Sequence, residues 1–155
     1  AALALCAMLA LQKEPLDLLM YYDMRVSCGM NGLWHPVTFD RFKTWYSYFM
    51  FDKLAQLKNE VESASNDADV YALGATDDAG RRRAAVVGFY NDDDNFSVKK
   101  PEIRLIGLTD DQKANLVVRM LDDKHDLVDV PFELEGDVVK FNFNIQHNAG
   151  LLLQA

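Results

Sequence analysis

The chain has 155 residues, of which 50% are hydrophobic and 26% charged, with a formal net charge of −8. That length is enough for one domain with a sizeable core, and the composition is that of a globular protein. The acidic balance, with a pI near 4.7, excludes nucleic acid and anionic membrane as expected partners, because both are held by clustered Lys and Arg.

Residues 1–13, AALALCAMLALQK, are strong helix formers, and Pro15 ends the run. A signal peptide is not expected there: the stretch has no basic segment, no initiator Met and no small-residue cleavage site before Gln12 and Lys13. A lipoprotein signal fails because Leu5, not a small residue, precedes Cys6. The run is also too short to span a bilayer. It reads as a buried helix packed on a sheet, and the missing Met as the sign of a fragment or processed product. The compartment stays open. Cys6 and Cys28 form no disulfide framework and read as unpaired thiols without a catalytic task.

Leu16–Tyr22 is apolar on both sides apart from Asp17, the signature of a strand covered on both faces. Asp23, Met24 and Arg25 leave it for a loop holding Gly29, Asn31 and Gly32. A second helix is expected from Thr38, a candidate N-cap with Asp40 in the first turn. Phe39, Phe42, Trp45 or Tyr46, Phe49 and Leu54 recur at helical spacing, so these rings are expected to fill a core at about 25 cal/mol per Å² of apolar surface.

The polar stretch from Asn59 to Asp69 divides a segment 1–58 from a segment 59–155. Strands are expected at Val70–Thr76, Arg83–Tyr90, Glu102–Leu108, Asn115–Leu121, Leu127–Leu134, Val139–Ile145 and Leu151–Leu153. Turn residues separate them: Asp77 to Gly80, Asn91 to Asn95, Asp122 to Asp126, and Gly136 with Asp137. Val139, Phe141, Phe143 and Ile145 alternate with Lys140, Asn142 and Asn144, a strand with one buried face. The predicted class is α+β: a mainly-β antiparallel sandwich of about seven strands after a helix-strand-helix segment.

Few motifs carry chemistry. His35, His125 and His147 are scattered and no zinc spacing appears, so no metal is expected. Asp92, Asp93 and Asp94 begin like a calcium loop, but Phe96 and Val98 stand where ligands or the turn glycine belong. Arg81, Arg82 and Arg83 are too short a run for a nucleic-acid footprint. No phosphate-binding glycine motif occurs, and no cofactor is expected.

Three segments carry a family likeness: Leu18-Leu19-Met20-Tyr21-Tyr22-Asp23, then Asn31-Gly32-Leu33-Trp34, then Lys43-Thr44-Trp45-Tyr46-Ser47-Tyr48-Phe49-Met50-Phe51. Together they resemble the end of a glycosidase (β/α)8 barrel, most nearly that of the family 39 glycoside hydrolases (β-xylosidases and α-iduronidases). Asp69 to Leu73 and Arg119 to Asp126 resemble the β-sandwich appended to such barrels.

The resemblance implies that residues 1–58 are a barrel remnant and Leu16–Tyr22 its last strand. The two catalytic glutamates of a retaining glycosidase, about 5 Å apart, would then lie upstream of residue 1, leaving this chain no catalytic residue. Glu14, Glu60, Glu62, Glu133 and Glu135 read as solvated surface. The residues at the barrel's carboxyl-end mouth would be Tyr22, Asp23, Arg25, Asn31 and Trp34, candidate contacts for a carbohydrate. The expected partners are carbohydrate in the intact enzyme, the rest of the barrel and, through the unpaired strand, another copy of the chain. Two alternatives stand beside this reading, a free carbohydrate-binding module and an interaction domain without a ligand.

Overall fold

Short alternating segments pair into two antiparallel sheets. The structure is a computed structural model that describes residues 1–22, 24–26, 32–92 and 97–155. The expected loop residues Asp23, Cys28, Gly29, Asn31, Asp93, Asp94, Asn95 and Phe96 lie outside those stretches. Among the described residues the strands are β1 (Asn59–Val61), β2 (Val70–Thr76), β3 (Arg83–Phe89), β4 (Glu102–Arg104), β5 (Val117–Leu121), β6 (Asp126–Asp129), β7 (Glu133–Glu135), β8 (Val138–Lys140) and β9 (Ala149–Gln154). One sheet has the order β1-β2-β3-β9-β5-β6, the other β4-β8-β7, and their pairings are antiparallel. Three α-helices among the described residues, α1 (Ala2–Ala10), α2 (Lys43–Ala55) and α3 (Asp110–Ala114), with a short 3-10 turn at Leu11–Lys13, complete the α+β fold.

Alternation gives the six-stranded sheet two apolar faces. Leu73, Val86 and Leu152 lie in one cross-strand row and pack with Leu5, Leu9, Met50 and Leu54 of the helices. Val87, Leu151, Leu153, Val118 and Met120 point the other way and pack with Val139, Phe141 and Ile145 under the small sheet. The layers are therefore helices, large sheet, small sheet, with one core on each side of the large sheet. Gly88 and Gly150 are register partners in β3 and β9. A Cβ on Gly88 would stand 2.5 Å from Cys6 Sγ, and one on Gly150 2.5 Å from Leu5 Cδ2. This glycine pair lets α1 lie close on the sheet.

Several expectations are corrected. Leu16–Tyr22 is not a strand: it pairs with none of the nine, and Leu18, Met20 and Tyr22 are 70%, 79% and 78% exposed. Apolar character makes a segment fit for burial, but a parallel-type strand forms only between neighbours. The helix near Thr38 starts instead at Lys43, with Phe42 in the N-cap place and no side-chain cap. Thr38 serves a turn, its N–H donating to His35 Nδ1 at 3.1 Å. The expected strand Leu127–Leu134 divides into β6 and β7 around Pro131, which has no ladder donor to give. Asn59 to Val61, where no strand was expected, forms the exposed edge strand β1. The ladder of the expected Val139–Ile145 strand stops at Lys140, yet Phe141 and Ile145 remain buried as the alternation requires.

Candidate functional site

Helix α2 has two worked faces. Ser47, Met50 and Leu54 are buried on the sheet side. Away from it, four residues at intervals of four form a ladder. The Arg41 guanidinium lies 4.0 Å from the centre of the Trp45 ring, Trp45 stacks on Phe49 at 5.3 Å, and Lys53 Nζ lies 4.4 Å from the Phe49 ring. Within α2, one turn of helix per rung brings Trp45, Phe49 and Lys53 into contact, and cations over aromatic faces are attracted by the ring quadrupole. Trp45 and Phe49, expected in the core, are only half-buried on this outer side. The core expectation holds for Leu54 and for Tyr46, which lie in or against the helix-side cluster, where Tyr48 and Phe51 also pack, but not for Phe39, which sits before the helix and is 64% exposed.

The chain before α2 is organised against it. Tyr21, at the end of the exposed Leu16–Tyr22 segment, meets Tyr48 of α2 edge to face at 5.4 Å. Burial, and then Tyr21 beside it, push the Tyr48 hydroxyl up to about 12. Residues 33 to 42 double back as a short hairpin: Trp34 bridges Arg41, His35 N–H donates to Asp40 O at 2.8 Å, and Phe42 N–H to Leu33 O at 2.9 Å. His35 also meets Phe42 edge to face at 5.9 Å. This hairpin holds Arg41 over Trp45.

Of the predicted sugar contacts, Tyr22 and Arg25 stand on exposed chain and Trp34 is half-buried in the hairpin. Asp23 and Asn31 lie outside the described residues. The i, i+4 spacing of Arg41, Trp45, Phe49 and Lys53 is the sequence signal for the ladder, although the same helical spacing of rings also suits a core face. Glu14, Glu60, Glu62, Glu133 and Glu135 are exposed, and Glu135 pairs with Lys140. Burial pushes the Cys6 thiol up to about 12, which leaves it protonated and unreactive at neutral pH. Among the described residues no group of three or more His, Cys, Asp or Glu is placed to hold a metal ion, and no helix is long and apolar enough to cross a membrane.

A polar network ties the far end of the sandwich. Lys99 Nζ lies 2.7 Å from Asp67 Oδ2 and 3.2 Å from Asp69 Oδ2, and Asn91 Nδ2 donates to Asp69 Oδ1 at 3.0 Å. The Lys99 hydrogen bond, followed by the Asp69 N–H, holds the Asp67 carboxyl below the usual carboxylate range. Lys99 is raised in turn, chiefly by that same bond.

Fold and surface together define an antiparallel β-sandwich carrying a two-helix layer, with aromatic rings half-buried on α2 and an exposed apolar segment, Leu16 to Met20, before it. Solved structures that share this fold include two xylanases. A glycoside hydrolase family 30 subfamily 8 xylanase from Clostridium acetobutylicum matches with a TM-score of 0.60 at 13% identity, over 80% of this chain and 30% of its own. A GH30 endoxylanase from Clostridium papyrosolvens matches with a TM-score of 0.57 at 14% identity, over 81% of this chain and 30% of its own. The chain thus spans about a third or less of the length of either xylanase. No protein-family profile matches the sequence, and no curated protein does. The likeness is one of fold and is drawn to family 30 glycoside hydrolases.

Proposed function

We propose that this chain is the C-terminal, non-catalytic part of a glycoside hydrolase, whose β-sandwich braces a (β/α)8 barrel. One observation carries the reading: the helix layer is apolar on both sides. Its inner side covers the large sheet. Its outer side presents the Trp45 and Phe49 stack, with Tyr21 leading back into Leu16 to Met20, whose large side chains are 46% to 79% exposed. Exposed apolar residues of this kind mark an interface, and an apolar segment that joins neither sheet, beside a helix, suits the outer stave of a barrel. The fold likeness to xylanases of about three times this length supports the same arrangement.

On this reading the catalytic carboxylates come from other parts of the polypeptide. Tyr22, Asp23, Arg25, Asn31 and Trp34 would lie at the barrel mouth, where aromatics stack on sugar rings and polar groups meet hydroxyls. Assignment to family 39 in particular rests on the residue pattern of the first fifty positions alone. A free carbohydrate-binding module fits less well. Phe89 and Phe141 are buried, and Tyr71, Tyr90, Phe132 and Phe143 are half-buried, so the described rings of the sandwich form no open platform.

The test is to express the complete reading frame containing these residues beside residues 1–155 alone, and to assay both on xylan and aryl β-xylosides. The expected result is hydrolysis by the complete product and none by residues 1–155. Turnover by residues 1–155, or a complete product without barrel repeats, overturns the proposal.

A further inference from the structure

The hairpin before α2 is fastened by a histidine that acts as an acceptor. His35 Nδ1 takes the backbone N–H of Thr38 at 3.1 Å and that of Val37 at 3.3 Å. Pro36, which separates His35 from Val37, has a fixed φ and no N–H of its own, so these two are the first donors the turn can offer. Only a neutral ring receives them. Nδ1 accepts when the proton sits on Nε2, whereas both nitrogens of an imidazolium are donors. Protonation therefore removes two hydrogen bonds at once and sets a third N–H against the two that were bound.

The same turn is strained. Phe39 has a φ of 61°, in the left-handed region that a bulky side chain seldom occupies. Phe39 is 64% exposed, so the turn rather than burial of the ring holds it there: its N–H donates to His35 O at 3.0 Å. Behind the turn the two legs are joined by His35 N–H to Asp40 O at 2.8 Å and Phe42 N–H to Leu33 O at 2.9 Å, with Trp34 opposite Arg41. The charged groups on the elements that meet the ring are Asp40 and Arg41 of the hairpin and Lys43 at the head of α2, behind Phe42. Each is engaged elsewhere. Asp40 Oδ2 accepts from Thr38 Oγ1 at 2.5 Å, Arg41 lies on the Trp45 ring, and Lys43 Nζ meets Asp126 Oδ1 at 2.6 Å.

We propose that residues 33–42 form a pH-operated clasp. With His35 neutral the turn is closed and Trp34 is held opposite Arg41. With His35 protonated the turn opens, the strain at Phe39 is released and Trp34 is freed. Imidazole is the side chain whose charge changes between about pH 5 and 8, and acidification within that range is the trigger. An effect of the clasp on sugar binding rests on the proposed function, in which Trp34 lies at the barrel mouth; the clasp itself does not.

Nuclear magnetic resonance of residues 1–155 tests it. Long-range proton–nitrogen spectra at about pH 7.5 should place the His35 proton on Nε2. Protection of the Val37, Thr38 and Phe39 amides, corrected for intrinsic exchange, should fall about fivefold or more on going to about pH 5, the loss of two net hydrogen bonds. His35→Asn puts a side-chain oxygen that does not titrate in reach of the same two N–H groups, and should keep the protection at both pH values. His35→Ala should lack it at both. A proton on Nδ1 at the higher pH, protection unchanged between the two, or an equal fall in His35→Asn overturns the clasp. In the complete product, the KM for xylan of the parent relative to that of His35→Asn should rise about threefold or more on the same acidification, the loss of one aromatic contact. A constant ratio beside a pH-dependent turn in residues 1–155 strikes the sugar contact of Trp34 and leaves the clasp standing.

Discussion

Replacing Gly88 by Ala puts one methyl group where α1 meets the sheet. Its Cβ would stand 2.5 Å from Cys6 Sγ, 3.4 Å from Leu9 Cδ1 and 3.7 Å from Leu5 Cδ2. Cys6 has a single side-chain torsion and is 2% exposed, and Leu5 is fully buried, so relief requires α1 to back off the sheet. Overpacking of this kind costs roughly 1–3 kcal/mol. The lower chain entropy of Ala in the unfolded state returns about 0.4–1 kcal/mol. The net loss is then about 1–2 kcal/mol, or roughly 2–8 °C in Tm for a chain of this size. Cys6→Ala removes the clashing sulfur at a cost on the order of 1 kcal/mol. In the double variant the two changes compensate, so urea unfolding of the four proteins should give a favourable coupling of about 1 kcal/mol or more. A Gly88→Ala variant more stable than its parent, or effects additive to within about 0.5 kcal/mol, would refute the close approach of α1.

Other predictions follow from single contacts. Gln112 is 7% exposed, completes a capping box with Thr109, and donates from Nε2 to Gly80 O at 2.9 Å and Arg81 O at 3.0 Å. Gln112→Ala should lower stability by about 1–3 kcal/mol in chemical denaturation, and a loss near zero would deny that α3 anchors the β2–β3 turn. Asp67, held low by Lys99, contributes stability that is complete above its unfolded value near 3.9 and disappears as pH falls through the lower folded value. Lys99, held high, contributes until pH rises through its folded value. The urea midpoint should therefore drop below about pH 4 more steeply in the parent than in Lys99→Met, and parallel curves would contradict the network. Cys6 should resist iodoacetamide at pH 8 at least about a hundredfold more in the folded chain than in urea, with peptide mapping as the readout; equal rates would mean that α1 is not seated.

Much of the sandwich was legible because alternation reports which side of a strand is buried. Val86 and Val87, or Leu151 and Leu152, face opposite cores, and the turn at Gly136 has the positive φ its glycine permits. The capping box of α3, Thr109-Asp110-Asp111-Gln112, was also written in the sequence but is only five residues of helix between two strands. Leu16–Tyr22 shows the opposite limit. Its residues carry the composition of a covered strand, yet pairing depends on partners that composition does not name. Trp45 and Phe49 show another limit: helical spacing shows that rings share a face, while which face meets the sheet was decided by Ser47, Met50 and Leu54. The candidate sugar contacts could be read only through the family likeness, because stacking and hydroxyl contacts impose no spacing rule.

Amide hydrogen exchange across Leu16 to Tyr22, read in the complete translated product and in residues 1–155 alone, tests the bracing role most directly. Strong protection of these amides is expected in the complete product, as in a strand held on both edges, and markedly faster exchange in residues 1–155. Equally fast exchange in both proteins would contradict it.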